Sequence, residues 1–188
     1  IIKRNPNSVG LHHRLIQAHL WNDNYEEACA TLMDLAHLHD SRGEIQDALD
    51  AMQIVLSLDP HHFSARREMV ELCSTHGESK LAAHHLRQLA EAALTKGNVE
   101  EAINAFSRLM EISDDPSFQD RLAQVYESQG RTEEALLHYR QLVERYREQS
   151  KWEEAASATE RIVTLQPEDL SVRRSLTEIY ERLGLTDR

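Results

Sequence analysis

The sequence predicts an all-α array of about ten antiparallel helices, and three observations carry that prediction. The 188 residues hold 40% apolar side chains but only 6 Gly and 4 Pro, too few turn formers for an all-β chain. The Leu, Ala, Glu, Arg and Gln content is that of a helical protein. Turn points recur at fixed spacing: Asp23 to Gly43, Gly77 to Gly97, and Gly130 to Ser150 are each 20 residues apart. A small residue stands five places after each of them, at Ala28, Ala48, Ala82, Ala102, Ala135 and Ala155, where it would let two helix backbones approach closely.

The elements follow in order from these marks. Helices are expected over 8–21, 24–41, 44–58, 61–75, 78–95, 98–113, 117–129, 131–148, 151–165 and 168–183. Those that begin after a turn point open with acidic residues, as in YEEA, IQDA, VEEA, TEEA and WEEA, which suit the positive end of the helix dipole. The apolar spacing inside them is helical: Ala48, Met52 and Val55, or Ala135, Tyr139 and Leu142, fall at i, i+4 and i+7. The runs IVLSLDP, LMEISDDP and IVTLQP close every third helix at Pro60, Pro116 and Pro167, and IIKRNP at Pro6 reads as the tail of an earlier one. Each Pro is expected to open the next helix, where its fixed φ and missing N–H do least harm.

Taken together, the prolines and turn points define a unit of 54 residues and three helices, with a short segment before Gly130 offset by a long one before Pro116. The expected organisation is one array over 1–188, with units at about 6–59, 60–115 and 116–166 and a partial unit at 167–188, cut from a longer chain. The middle helix of each unit serves two overlapping hairpins, so it should be apolar around more of its circumference than its neighbours. ACATLMDLAHL and LAAHHLRQLAEAAL meet that expectation, while ALLHYRQLVERYREQ is more amphipathic.

Leu122, Ala123, Tyr126, Gly130, Ala135 and Tyr139, with Ala48, Met52, Val55 and Pro60, resemble the tetratricopeptide repeat along essentially the whole chain. The family spaces its two-helix unit at about 34 residues, so a three-helix period is a departure. The resemblance implies a TPR-like antiparallel helical solenoid whose curved surface binds peptides or helices of other proteins. It also implies groove-facing slots on the first helices, here His13 with Gln17, Arg67 with Glu71, Asp120 with Gln124, and Arg174 with Glu178. Family members that hold the C-terminal carboxylate of a chaperone tail place a Lys and an Asn at such slots. No such pair stands here, so a partner of mixed charge or partly apolar character is expected.

Charge argues against nucleic acid. The net charge is -11, and residues 1–60, 61–116 and 117–188 carry 4, 6 and 11 basic against 9, 9 and 14 acidic side chains, whereas phosphate binding draws on Lys and Arg. Arg140, Arg145 and Arg147 are a candidate basic patch, weakened by Glu144 and Glu148. No run approaches the roughly 18 apolar residues of a membrane span. The chain has 11 His, but no two at i, i+3 or i+4, the spacing by which one helix grips a metal. His19 and His39 occupy the slot of Tyr126, Tyr146 and Tyr180 and read as packing residues, as do Cys29 and Cys73. No catalytic constellation can be assembled. The expected function is a non-catalytic protein-interaction scaffold without cofactor or metal, in the cytoplasm. The alternatives are a spacer that self-associates end to end through apolar ends, or an array regulating a catalytic domain elsewhere in the protein.

Overall fold

The computed structural model describes residues 7–185; Pro6 with the segment before it, and Thr186 to Arg188, lie outside the described residues. Ten helices are described: α1 Val9–Trp21, α2 Tyr25–Ser41, α3 Ile45–Leu58, α4 Phe63–Thr75, α5 Ser79–Thr95, α6 Val99–Ile112, α7 Pro116–Ser128, α8 Thr132–Glu148, α9 Trp152–Leu165 and α10 Leu170–Leu183. Their order matches the sequence expectation, with ends shifted by a residue or two. Lengths also recur. Starting from α1 they run 13, 17 and 14 residues, then 13, 17 and 14, then 13, 17 and 14 again, before α10 at 14.

Two kinds of turn alternate with this period. Among the described residues, all seven positive-φ positions are turn points read from the sequence: Asp23, Gly43, Gly77, Gly97, Gly130, Ser150 and Gly184. At Gly43 the N–H donates to Asp40 O at 2.8 Å and the N–H of Glu44 to His39 O at 2.9 Å, the paired bonds of a Schellman ending. The same longer-range bond joins Asn24 to His19, Glu78 to Cys73, Arg131 to Tyr126, Lys151 to Tyr146 and Leu185 to Tyr180. These turns are so tight that the residue donating this bond, Glu44 for example, is already the N-cap of the next helix. Paired carboxylates then fill the first turn of α2, α6, α8 and α9, and Asp47 that of α3.

The second kind of turn follows α3, α6 and α9, where no residue has positive φ. Here one expectation is corrected. Pro116 is the first residue of α7, capped by Asp115, whose carboxylate accepts the Ser117 N–H at 2.9 Å. Pro60 and Pro167, by contrast, stand in turns before the helix begins, and the caps are His62 for α4 and Asp169 for α10. In both cases an Asx or imidazole cap supplies the acceptor that proline cannot, so proline stops the preceding helix rather than starting the next.

The residues gather into two compact units, Ile1–Lys96 and Gly97–Arg188. In the first, α2 packs against both α1 and α3, and α4 against α3 and α5; in the second, α8 packs against α7 and α9, and α10 against α9. The small residues read from the sequence, Ala28, Ala48, Ala82, Ala102, Ala135 and Ala155, are all fully buried. The first core joins Ile16, Leu32, Leu35, Met52, Val55, Met69 and Leu72; the second joins Ala123, Tyr139, Leu142, Ile162 and Ile179. The middle helix α2 buries eight of its 17 residues on two faces, and α8, the amphipathic exception, five. Cys29 and Cys73 are buried free thiols in the first unit, and burial pushes both up from the ordinary thiol range.

Candidate functional site

The eight slots on the first helices divide evenly, with His13, Gln17, Arg67 and Glu71 in the first unit and Asp120, Gln124, Arg174 and Glu178 in the second. Six of them are exposed, while Asp120 and Gln124 are half-buried. These two are brought together: the Gln124 amide donates to Asp120 Oδ2 at 2.7 Å, and Arg121 donates to Gln124 Oε1 at 3.2 Å. Glu178 is engaged from α8 instead, with Arg147 at 3.7 Å.

Asp120 stands in a polar cluster built by three helices. Two turns further along α7, Glu127 accepts from the buried Tyr139 hydroxyl of α8 at 2.7 Å and faces Arg161 of α9 at 3.7 Å. Burial pushes the Asp120 carboxyl up from its ordinary range, and Glu127 adds to the rise; Arg161, Gln124 and Arg121 only partly offset it. The Tyr139 hydroxyl is held far above its usual range, first by burial and then by its bond to Glu127. Tyr146, on the same helix, is raised by burial and by Asp120. The cluster therefore holds a carboxylate whose desolvation exceeds its compensation, a condition that favours any additional hydrogen-bond donor or positive charge brought to it.

The candidate basic patch on α8 is neutralised. Arg145 pairs with Asp114 at 2.8 Å, Arg147 with Ser175 at 3.2 Å as well as Glu178, and Arg140 with Gln166 at 2.9 Å and Asp169 at 3.9 Å. Each arginine clips the middle helix to a neighbouring turn or helix. None of these guanidinium groups stands apart from a counter-charge or acceptor.

Sequence reasoning missed several polar contacts between first and middle helices. Arg66, 8% exposed, donates to Pro60 O at 2.7 Å and to the Gln88 side chain of α5. One period later, Gln119 of α7 donates to Gln141 of α8 at 2.7 Å. The signal was present as a repeated spacing of 22 residues between the partners, 66 to 88 and 119 to 141. Two histidines also recur at one period, His85 on α5 and His138 on α8, both with buried ring nitrogens that make no hydrogen bond. Burial pushes His85 down to about 4, aided by the charges of His84 and Arg66, and pushes His138 down as well.

A family model described as tetratricopeptide repeat matches residues 33–116 and 87–149. The chain belongs to the tetratricopeptide repeat family. No curated protein matches it in sequence. Among solved structures, the MamA protein is 19% identical over 86% of each chain with a TM-score of 0.34. YrrB, titled a TPR protein with an unusual peptide-binding site, is 15% identical over 89% of this chain and 98% of its own, with a TM-score of 0.36. The Cut9–Hcn1 assembly of the APC/C is matched at 14% identity over 96% of this chain and 41% of that one, with a TM-score of 0.34. In this TPR chain the two matched segments overlap over residues 87–116. Among the described residues of the TPR chain, no helix is long and apolar enough to cross a membrane.

Proposed function

We propose that this TPR array is a non-catalytic interaction scaffold, and that its second unit grips a partner segment through a Lys or Arg side chain set against Asp120. The observation that supports this is the half-buried, under-compensated Asp120 carboxyl, with Gln124 beside it as an amide that both donates and accepts. A helical array gains nothing in stability from holding a carboxylate there, since burial without full pairing costs free energy. A cationic side chain from a partner would offset that cost. Arg174 and Glu178 in the second unit, and His13, Gln17, Arg67 and Glu71 in the first, are read as further partner contacts. The array is read as three-helix units at about 6–59, 60–115 and 116–166 with a partial unit at 167–188, and its setting as cytoplasmic.

Selection from a random peptide library, followed by fluorescence polarisation with the winning peptides and their Lys/Arg→Gln counterparts, tests the reading. Selected peptides should carry a basic residue, and its replacement or Asp120→Asn should each weaken binding by about tenfold, the loss of one charge-assisted hydrogen bond. Asp120→Asn should leave the chain as stable as before or more so. Peptides selected without basic preference would refute the role of Asp120. A folded chain that selects no peptide would refute the scaffold reading itself.

A further inference from the structure

We propose that the turn between α2 and α3 is a binding site for zinc, or a similar divalent first-row transition ion, formed by His39, Glu44 and Asp47. The three offer one imidazole nitrogen and two carboxylate oxygens that all lie within 4.8 Å of one another. His39 Nδ1 stands 2.6 Å from Glu44 Oε2. The imidazole is 8% exposed and fixed in the helix packing, whereas the Glu44 and Asp47 side chains are exposed and able to rotate.

The backbone brings these positions together before any metal does. In a Schellman ending the third residue from the helix end meets the second residue past it, because the N–H of the latter bonds the carbonyl of the former. Here those residues are His39 and Glu44, bonded at 2.9 Å, with Gly43 at φ +74 between them. Asp47 lies one turn into α3, on the side chain's own reach from Glu44. The turn after α7 shows that the three positions converge: there Arg131 covers the Tyr126 ring at 4.6 Å and bonds Glu134 at 2.8 Å, in the places of Glu44, His39 and Asp47.

The ligand set is not a by-product of the repeat. In the place of Glu44 the other left-handed turns hold Asn24, Glu78, Asn98, Arg131, Lys151 or Leu185, and the one other acid there, Glu78, has Leu81 in the place of Asp47. Mixed imidazole and carboxylate donors suit zinc rather than magnesium or calcium, which take oxygen ligands alone. Two atoms bonded to one zinc at about 2.0–2.1 Å and a tetrahedral angle stand about 3.3 Å apart. The His39–Glu44 pair must open slightly and the widest pair close by about 1.5 Å at most, within the rotation of an exposed carboxylate. Three protein ligands leave a fourth position for water or a partner's side chain. Bound there, the ion would tie α2 to α3.

Titration of the full chain with zinc chloride by isothermal calorimetry, paired with long-range nitrogen–proton spectra of the histidine rings, is the test. One equivalent of zinc should shift the His39 Nδ1 resonance ahead of the other ten histidines, and excess magnesium should not reverse it. Glu44→Gln and Asp47→Asn, at exposed side chains that leave the core untouched, should each weaken that site by about tenfold or more. Zinc that leaves the His39 nitrogens unshifted, or binds both variants as tightly as the parent, would overturn the proposal.

Discussion

Exchanging residues between two equivalent turns, Ser150→Gly and Gly130→Ala, tests whether left-handed backbone geometry alone sets the cost of a turn in this array. Both positions end a helix with positive φ, +56 at Ser150 and +69 at Gly130. An L-residue held in that region costs about 1–2 kcal/mol relative to the right-handed one. Glycine escapes the steric cost but gives up more chain entropy on folding, about 0.5–1 kcal/mol. Ser150→Gly should therefore stabilise by about 0.5–1 kcal/mol. Gly130→Ala should destabilise by about 1 kcal/mol and no more, because a Cβ there meets nothing within 4 Å and the dihedral is the whole penalty. For a chain of this size that is a melting shift of about 2–4 °C in each direction. Repeat arrays can unfold in parts, so hydrogen exchange of α8 and α9 should accompany the melting curve. Asp23→Gly supplies the control: Asp tolerates the left-handed region, and its carboxylate accepts from Tyr25 at 3.1 Å, so the gain should be close to nil. A Gly130→Ala loss above about 3 kcal/mol, or a Ser150→Gly loss of any size, would refute the reasoning.

Other changes probe the packing and the buried polar groups. Ala135→Leu, at a fully buried crossing of α8 with Ala123 in the same core, should cost about 1–3 kcal/mol by overpacking, read from the urea midpoint. His85 has its folded pKa lowered to about 4 from 6.5, so its stability contribution is present above pH 6.5 and is lost as pH falls toward 4. The loss should reach about 3 kcal/mol, with His138 adding in the same direction, and His85→Leu should flatten the pH dependence measured by urea unfolding at pH 7 and 4.5. Arg66→Met should cost about 0.5–1.5 kcal/mol, the net worth of the bonds given up, because Gln88 and Pro60 are exposed and regain water. Adding Gln88→Leu to that variant should change stability little further in a double-mutant cycle, since the Arg66–Gln88 bond is already gone.

The turns were the most legible part of the sequence because each demands a particular backbone. Glycine announces five of them by composition, but Asp23 and Ser150 were found only because they stand 20 residues from a glycine, which is evidence of architecture rather than of local preference. The alanine positions were legible for the same reason: close helix crossing leaves room for one kind of side chain. Proline misled at Pro60 and Pro167 because a missing N–H is tolerated both at the start of a helix and in the turn before it, and the caps at His62 and Asp169 decided between them. The candidate sites were less legible. Asp120 and Arg174 occupy equivalent slots, yet one is half-buried and the other exposed, since burial depends on what the next helices carry. The His39 group escaped a search for ligands spaced along one helix because its spacing belongs to a turn between two.

The same turn chemistry explains why the period is three. A Schellman ending hands its last residue directly to the next helix as N-cap, so two such endings in succession join three helices, and in α1–α3 and α7–α9 the middle one packs on both sides. A proline turn then releases the chain from that pattern, since it closes a helix without a left-handed residue. The middle helices carry the mechanical consequence. At 1.5 Å per residue, α2 and α8 are about 26 Å long against about 20–21 Å for the helices on either side, one extra turn each. That extra turn holds His39 on α2 and Tyr146 on α8, the residues that meet the following helix in the Schellman contact. The additional length thus lies where a middle helix must reach its second partner, and the residue placed there is the one free to differ between units without changing the backbone. In the first unit it is an imidazole facing two carboxylates, and in the second a phenol beside Lys151 and Glu154. A repeat that fixes its turns so tightly leaves these positions as the places where one unit acquires chemistry that the next does not have.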